Sequence, residues 1–134
     1  MSHWALPFIG APWISGESGP AGYDCYGLVR AVYRDVQGIV LPVVDVTQAE
    51  PLRLRHTLQS EAAAAWDEVQ QPADLDVLML SYGENPHHIG LWAEVDGGRV
   101  VHALEGAGVV AQSRSALAGD GWHIVAIRRR RVGA

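Results

Sequence analysis

The clearest pattern in the chain is the recurrence of apolar positions from Cys25 onward. Cys25, Leu28, Val29, Val32, Tyr33 and Val36 follow one another at helical spacing, while Arg30, Arg34, Asp35 and Gln37 fall off that stripe. Asp24 suits the N-cap and Gly38 suits the stop. The spacing predicts a helix over 25–37, with Cys25 in its first turn on the buried face. Upstream, residues 3–22 are rich in Trp, Pro and Gly and read as an irregular arm with one short helix near Ala5–Ile9. Leu52, Leu54, Leu58 and a run of alanines make Glu50–Ala65 helical, and Trp66–Val69 reads as its continuation into a loop with Pro72.

The second half changes period. Asp76–Leu80, His88–Val95 and Arg99–Leu104 are short apolar runs, and Asp96-Gly97-Gly98 between the last two is a hairpin turn signal. Val109-Val110 makes a short strand, and Trp122–Arg129 alternates as the last one. Helices followed by a strand meander predict an α+β fold with an antiparallel sheet, one face covered by the Cys25 helix. A length of 134 residues fits a single domain over residues 1–134.

Composition narrows the function classes. Hydrophobic residues make up 49% and charged residues 19%, the balance of a folded chain. No apolar run approaches the roughly 20 residues needed to cross a bilayer, so no membrane association is expected. Met-Ser-His-Trp lacks a basic patch followed by an apolar stretch, so synthesis in the cytoplasm without a signal peptide is expected. The net charge is −5, all ten basic residues are arginines, and four of these are the consecutive Arg128–Arg131. An otherwise acidic body argues against wrapping nucleic acid, and the arginine run reads as a strand end with a solvated tail. One cysteine excludes an internal disulfide framework.

That cysteine is the first candidate for chemistry. A thiol at a helix start faces unsatisfied N–H groups and the positive end of the macrodipole, which lower its pKa; Asp24, as an N-cap, is expected to turn its carboxylate to the backbone instead. A nucleophilic cysteine needs a base, most often a histidine held by a third polar group. His3, His56 and His123 suit surface or core roles, whereas His87 and His88 open a strand beside a loop and His102 lies in the next strand. Cys25 with these three histidines offers zinc-type donors, but the spacing matches no common zinc motif, so no metal and no organic cofactor is expected.

Four blocks carry a resemblance. Ala11-Pro12-Trp13-Ile14-Ser15-Gly16, Gly22-Tyr23-Asp24-Cys25-Tyr26-Gly27-Leu28-Val29, His88-Ile89-Gly90-Leu91-Trp92 and Val101-His102-Ala103 resemble, in order and spacing, the motifs of NlpC-type cell-wall peptidases. These are papain-like cysteine enzymes that cut stem peptides of bacterial peptidoglycan. Phe8–Trp13, Val29–Tyr33 and Gly38–Pro42 look like the branch that tailed phages encode among their tail-assembly genes.

The resemblance implies a papain-like fold with the nucleophile helix packed on the sheet. It implies Cys25 as nucleophile, His88 as general base and His102 as the group that orients His88, with the Cys25 N–H helping to hold the oxyanion. Trp13, Asp24, Tyr26 and His87 are the implied substrate contacts; Trp13 and Tyr26 stand where relatives usually have Tyr and Ser. The implied substrate is a peptidoglycan stem peptide, usually cut at a γ-D-glutamyl-diaminopimelate bond, with phage tail proteins as partners and the virion tail as site of action. A structural tail-tip protein with an idle cleft, or an amidase or acyltransferase on the same scaffold, are the alternatives.

Hairpin register leaves the third residue open. A two-residue turn at Gly97-Gly98 sets His102 across from Ala93, on the face opposite His88, and a turn at Asp96-Gly97 sets Glu105 across from His88. His102 meets His88 only through an irregular hairpin or a bulge, and Glu105 is its rival.

Overall fold

The computed structural model describes residues 3–41, 65–83 and 85–131, without the side chains at 85–87. The helix expected over 50–65 lies outside the described residues, apart from its last position. Helix α1 spans Cys25–Val32 and runs on through a single wider turn, Tyr33–Gln37, that ends at Gly38 in the left-handed conformation (φ 68°). The expected helix at Ala5–Ile9 is instead a string of turns, closed by Phe8 and Ile9 N–H groups on the Ala5 carbonyl.

Six strands form one antiparallel sheet: β1 Trp66–Val69, β2 Val77–Tyr82, β3 Asn85–Ala93, β4 Arg99–Leu104, β5 Gly108–Gln112 and β6 Trp122–Arg130. Their order is β1-β6-β2-β3-β4-β5. Strands β2 to β5 are the expected meander. Strand β6 departs from it, returning across the sheet to pair with both β2 and β1. Trp66–Val69 is therefore a strand and not a loop. Four residues with two charges in the middle carry little strand signal of their own, and the open edge of β6 organises them.

Both faces of the sheet are covered. Leu28, Val29, Ala31 and Val32 of α1 pack with Val77, Met79, Ile89, Leu91, Val101 and Ala103. On the other face Leu78, Leu80, Trp92, Val100 and Ile127 pack with Leu117. Leu117 belongs to a second helix, α2 (Arg114–Gly119), capped by the Ser113 hydroxyl, which accepts from the Ala116 N–H. The sequence reading missed α2 because six residues with one buried side chain show no periodicity.

The arginine run is not a solvated tail. Arg128, Arg129 and Arg131 pair with Glu68, Asp76 and Asp67, and Arg130 lies over the Trp66 ring. These contacts lace the β1–β6 seam and tie it to the start of β2. No helix of the described residues is long and apolar enough to cross a membrane.

Candidate functional site

Cys25 opens α1 where the arm and the sheet converge. The Asp24 carboxylate is buried and accepts from the Gly27 N–H at 2.6 Å and the Gly16 N–H at 2.8 Å. It therefore caps the helix and holds the arm at once. Gly27 is required at the next turn, because a Cβ there would sit 1.9 Å from the Glu17 carbonyl oxygen. The Asp-Cys-Tyr-Gly spacing is in this sense a docking device: the acid holds the arm, the glycine admits it, and the cysteine is presented between them.

The thiol feels opposing influences. Burial, the largest, and the Asp24 charge push it up to about 11, against backbone N–H groups of Tyr26, Ile89 and Cys25 that pull it down. Asp24 does cap the helix as expected, yet its charge still reaches the sulfur. Burial and Asp24 therefore oppose the pull of the helix start, and a neighbouring base is needed to take the thiol proton. The Ile89 N–H at the thiol fixes the relation of Cys25 to β3, since Ile89 follows His88.

His88 and His102 are buried and paired, His88 Nε2 lying 3.0 Å from His102 Nδ1. The register explains how. Leu91 pairs with Val101 and Ala93 with Arg99, so the connection is the five residues 94–98, with Asp96, Gly97 and Gly98 all at positive φ. Continuing that register sets His102 opposite Gly90 and puts both histidines on one face, as diagonal neighbours. Neither two-residue turn considered from the sequence occurs. Glu105 is exposed in the β4–β5 turn.

The array extends beyond the two rings. His102 Nε2 lies 2.7 Å from Gln112 Oε1 on β5, and Gln112 Nε2 donates to Asp120 Oδ2 at 2.6 Å, just after α2. Burial lowers the His102 pKa, opposed by its bond to Gln112 and by the Asp120 charge. Trp122 lies against the His88 ring with centroids 4.6 Å apart, and Tyr82 meets Trp122 edge-on at 5.4 Å. Sequence reasoning missed Gln112, Asp120 and Trp122. Gln112 falls on the opposite face of β5 from the buried Val109, so strand periodicity gave no signal for it.

The remaining expected residues are placed as follows. Trp13 bridges to Tyr23 in the arm and packs, partly buried, against the α1 side of the core. Tyr26 is buried in that core. The His87 side chain lies outside the described residues. Among the described residues no group of three or more His, Cys, Asp or Glu side chains is disposed to hold a metal ion.

Comparison with known proteins bears on the fold and the family. Protein P54 of Enterococcus faecium is 28% identical over 99 residues, covering 74% of this chain but 16% of that protein, so the chain spans a small part of its relative's length. The NlpC/p60 domain of the peptidoglycan hydrolase SagA superposes with a TM-score of 0.57 at 28% identity, covering 84% of this chain and 85% of that one. A protein similar to lipoproteins of the NLP/P60 family, from Staphylococcus aureus, gives a TM-score of 0.57 at 25% identity, over 94% of this chain and 38% of that one. The mixed helix and antiparallel sheet are thus the papain-like architecture of these neighbours. With the thiol at the helix start, the paired histidines on adjacent strands and a family match that runs over residues 10–131, the chain belongs to the NlpC/P60 family.

Proposed function

We propose that the chain is a cysteine peptidase that hydrolyses stem peptides of bacterial peptidoglycan, at bonds of the γ-D-glutamyl-diaminopimelate type. The observation that carries this reading is the line from the Cys25 thiol, against the Ile89 N–H, to the adjoining His88 and its partner His102. Likeness to the NlpC/p60 domain of a peptidoglycan hydrolase supports the substrate class.

The chemistry follows from the proton inventory. With Nε2 turned to His102, His88 takes the thiol proton on Nδ1. Cys25 Sγ attacks the scissile carbonyl, and the N–H of Cys25 supports the oxyanion. The His88 proton then passes to the leaving amine. A thioester remains, and water activated by the same imidazole hydrolyses it. The test is digestion of purified peptidoglycan by the wild type and by Cys25→Ala, with product masses identifying the bond. Full activity in the alanine variant would overturn the reading, and transfer products would point to an acyltransferase.

The phage-tail setting rests on the motif blocks of residues 8–42 alone. Its test is the presence of the chain in purified tail assemblies and their loss of cell-wall cleavage with Cys25→Ala. A second reading is a tail-tip structural protein with an idle cleft, which Trp13 favours, standing where relatives usually have Tyr. Alkylation of Cys25 that depends on intact His88 at neutral pH supports the enzyme; an inert thiol supports the structural role.

A further inference from the structure

The structure assigns Gln112 and Asp120 as positioning residues whose hydrogen bonds select the histidine tautomers that make His88 a base. This rests on the peptidase reading for its consequence, though not for its geometry. An ionised carboxylate only accepts hydrogen bonds, so Asp120 Oδ2, 2.6 Å from Gln112 Nε2, holds the amide with its NH2 group outward. The amide oxygen then faces His102, and because it too only accepts, His102 Nε2 carries the hydrogen at 2.7 Å.

His102 is fully buried, and its pKa is lowered, so the ring is neutral. A neutral ring with hydrogen on Nε2 has its lone pair on Nδ1. His88 Nε2, 3.0 Å away, must therefore be the donor of that contact. A neutral His88 with hydrogen on Nε2 carries its own lone pair on Nδ1, the atom that receives the thiol proton.

Turning the amide over reverses every step. The NH2 group would face His102 Nε2, the His102 hydrogen would move to Nδ1, and His88 Nε2 would have to accept. The His88 hydrogen would then occupy Nδ1, and the base would be blocked. Asp120 thus acts on the sulfur through three intervening side chains without approaching it. Its place after α2 gives the short helix a purpose: α2 turns the chain so that Asp120 returns to the end of β5.

The test combines histidine 15N NMR with kinetics on peptidoglycan. In the wild type near neutral pH both His88 and His102 are expected as Nε2–H tautomers. Asp120→Asn, whose amide can donate as well as accept, should populate the Nδ1–H form of His102 and lower kcat about tenfold with KM little changed. Gln112→Glu combined with Asp120→Asn restores the same polarity: the new carboxylate accepts from His102, and the new amide donates to it. This double variant should regain the wild-type tautomers and come within about threefold of wild-type kcat.

Nδ1–H tautomers in the wild type would overturn the assignment, as would unchanged tautomers in Gln112→Leu. Expected tautomers without any cleavage of peptidoglycan would support the relay and count against the peptidase reading.

Discussion

His88 and His102 meet Nε2 to Nδ1 at 3.0 Å by reaching diagonally over Gly90, which has no side chain to stand between them. A Cβ on Gly90 would lie 3.1 Å from His102 Cβ and 3.1 Å from the Val101 carbonyl oxygen. The glycine of the His-Ile-Gly block is thus explained by the close approach of His102 Cβ and the Val101 carbonyl. Gly90→Ala is expected to fold at a cost of about 1–2 kcal/mol. Cleavage of peptidoglycan should fall about 10- to 100-fold, because the displaced His102 ring no longer holds His88. Thermal melting and kcat measured on the same preparation separate the two effects. A variant that melts normally and cleaves normally would show that the crossing is not needed.

The raised Cys25 pKa sets a pH dependence for both reactivity and stability. Its ordinary value is 9.0 and the fold raises it to about 11, so between these the unfolded chain ionises while the native one does not. The folded state binds more protons in that window, and the stability contributed is present in full below it and lost as pH rises through it. Melting temperature should fall over that range in the wild type and fall less in Cys25→Ser. Asp24→Asn removes the second-largest cause of the shift while keeping one capping oxygen. Its iodoacetamide rate profile should move to lower pH than that of the wild type.

His102 sets the acid side. Its pKa is lowered from 6.5, chiefly by burial, so as pH falls below that value the unfolded chain takes up a proton that the native ring resists. Native stability therefore decreases as pH drops from about 6.5 toward the folded pKa, and is unaffected by this group above it. Once His102 is protonated, both ring nitrogens carry hydrogen, and it can no longer accept from His88. Melting temperature followed from about pH 7 to about pH 5 should decline more steeply in the wild type than in His102→Gln. Equal slopes would mean that the buried ring is not the group titrating.

How far this could be read from the sequence depended on the range of each interaction. The Cys25 helix and its caps were legible because one stripe, one acid and one glycine suffice to define them locally. Strand β4 was legible with its limits, since Arg99–Leu104 is an apolar run between turns. The pairing of His88 with His102 was not, because it depends on whether the connection closes with two residues or five, and a one-residue change reverses the face. The relay through Gln112 and Asp120 was still further out of reach. It depends on β5 and α2 arriving beside β4, and neither residue has a sequence neighbour that declares a site. Strand β1 was missed for a related reason, as its pairing partner β6 lies at the other end of the chain.

The arginine run makes a prediction that separates a buried staple from a surface pair. Asp76 is 2% exposed, and its carboxylate accepts from Arg129 Nε at 3.0 Å, from a second guanidinium nitrogen at 2.8 Å and from the Ala73 N–H at 2.8 Å. It fixes the entry to β2 against β6. Arg131 and Asp67 form a similar bond at 2.9 Å, but both side chains are about half exposed to water. Replacing Arg129 by Gln leaves a buried carboxylate with only one backbone partner, and should cost about 2 kcal/mol. Replacing Arg131 by Gln removes a pair that water already screens, and should cost no more than about 0.5 kcal/mol. Denaturant melts of the two variants test the contrast directly. Cleavage well below the melting temperature should be retained in both, since neither touches the histidine array. Equal destabilisation would mean that the run acts as a diffuse charge cluster, and that the anchor at Asp76 contributes nothing of its own.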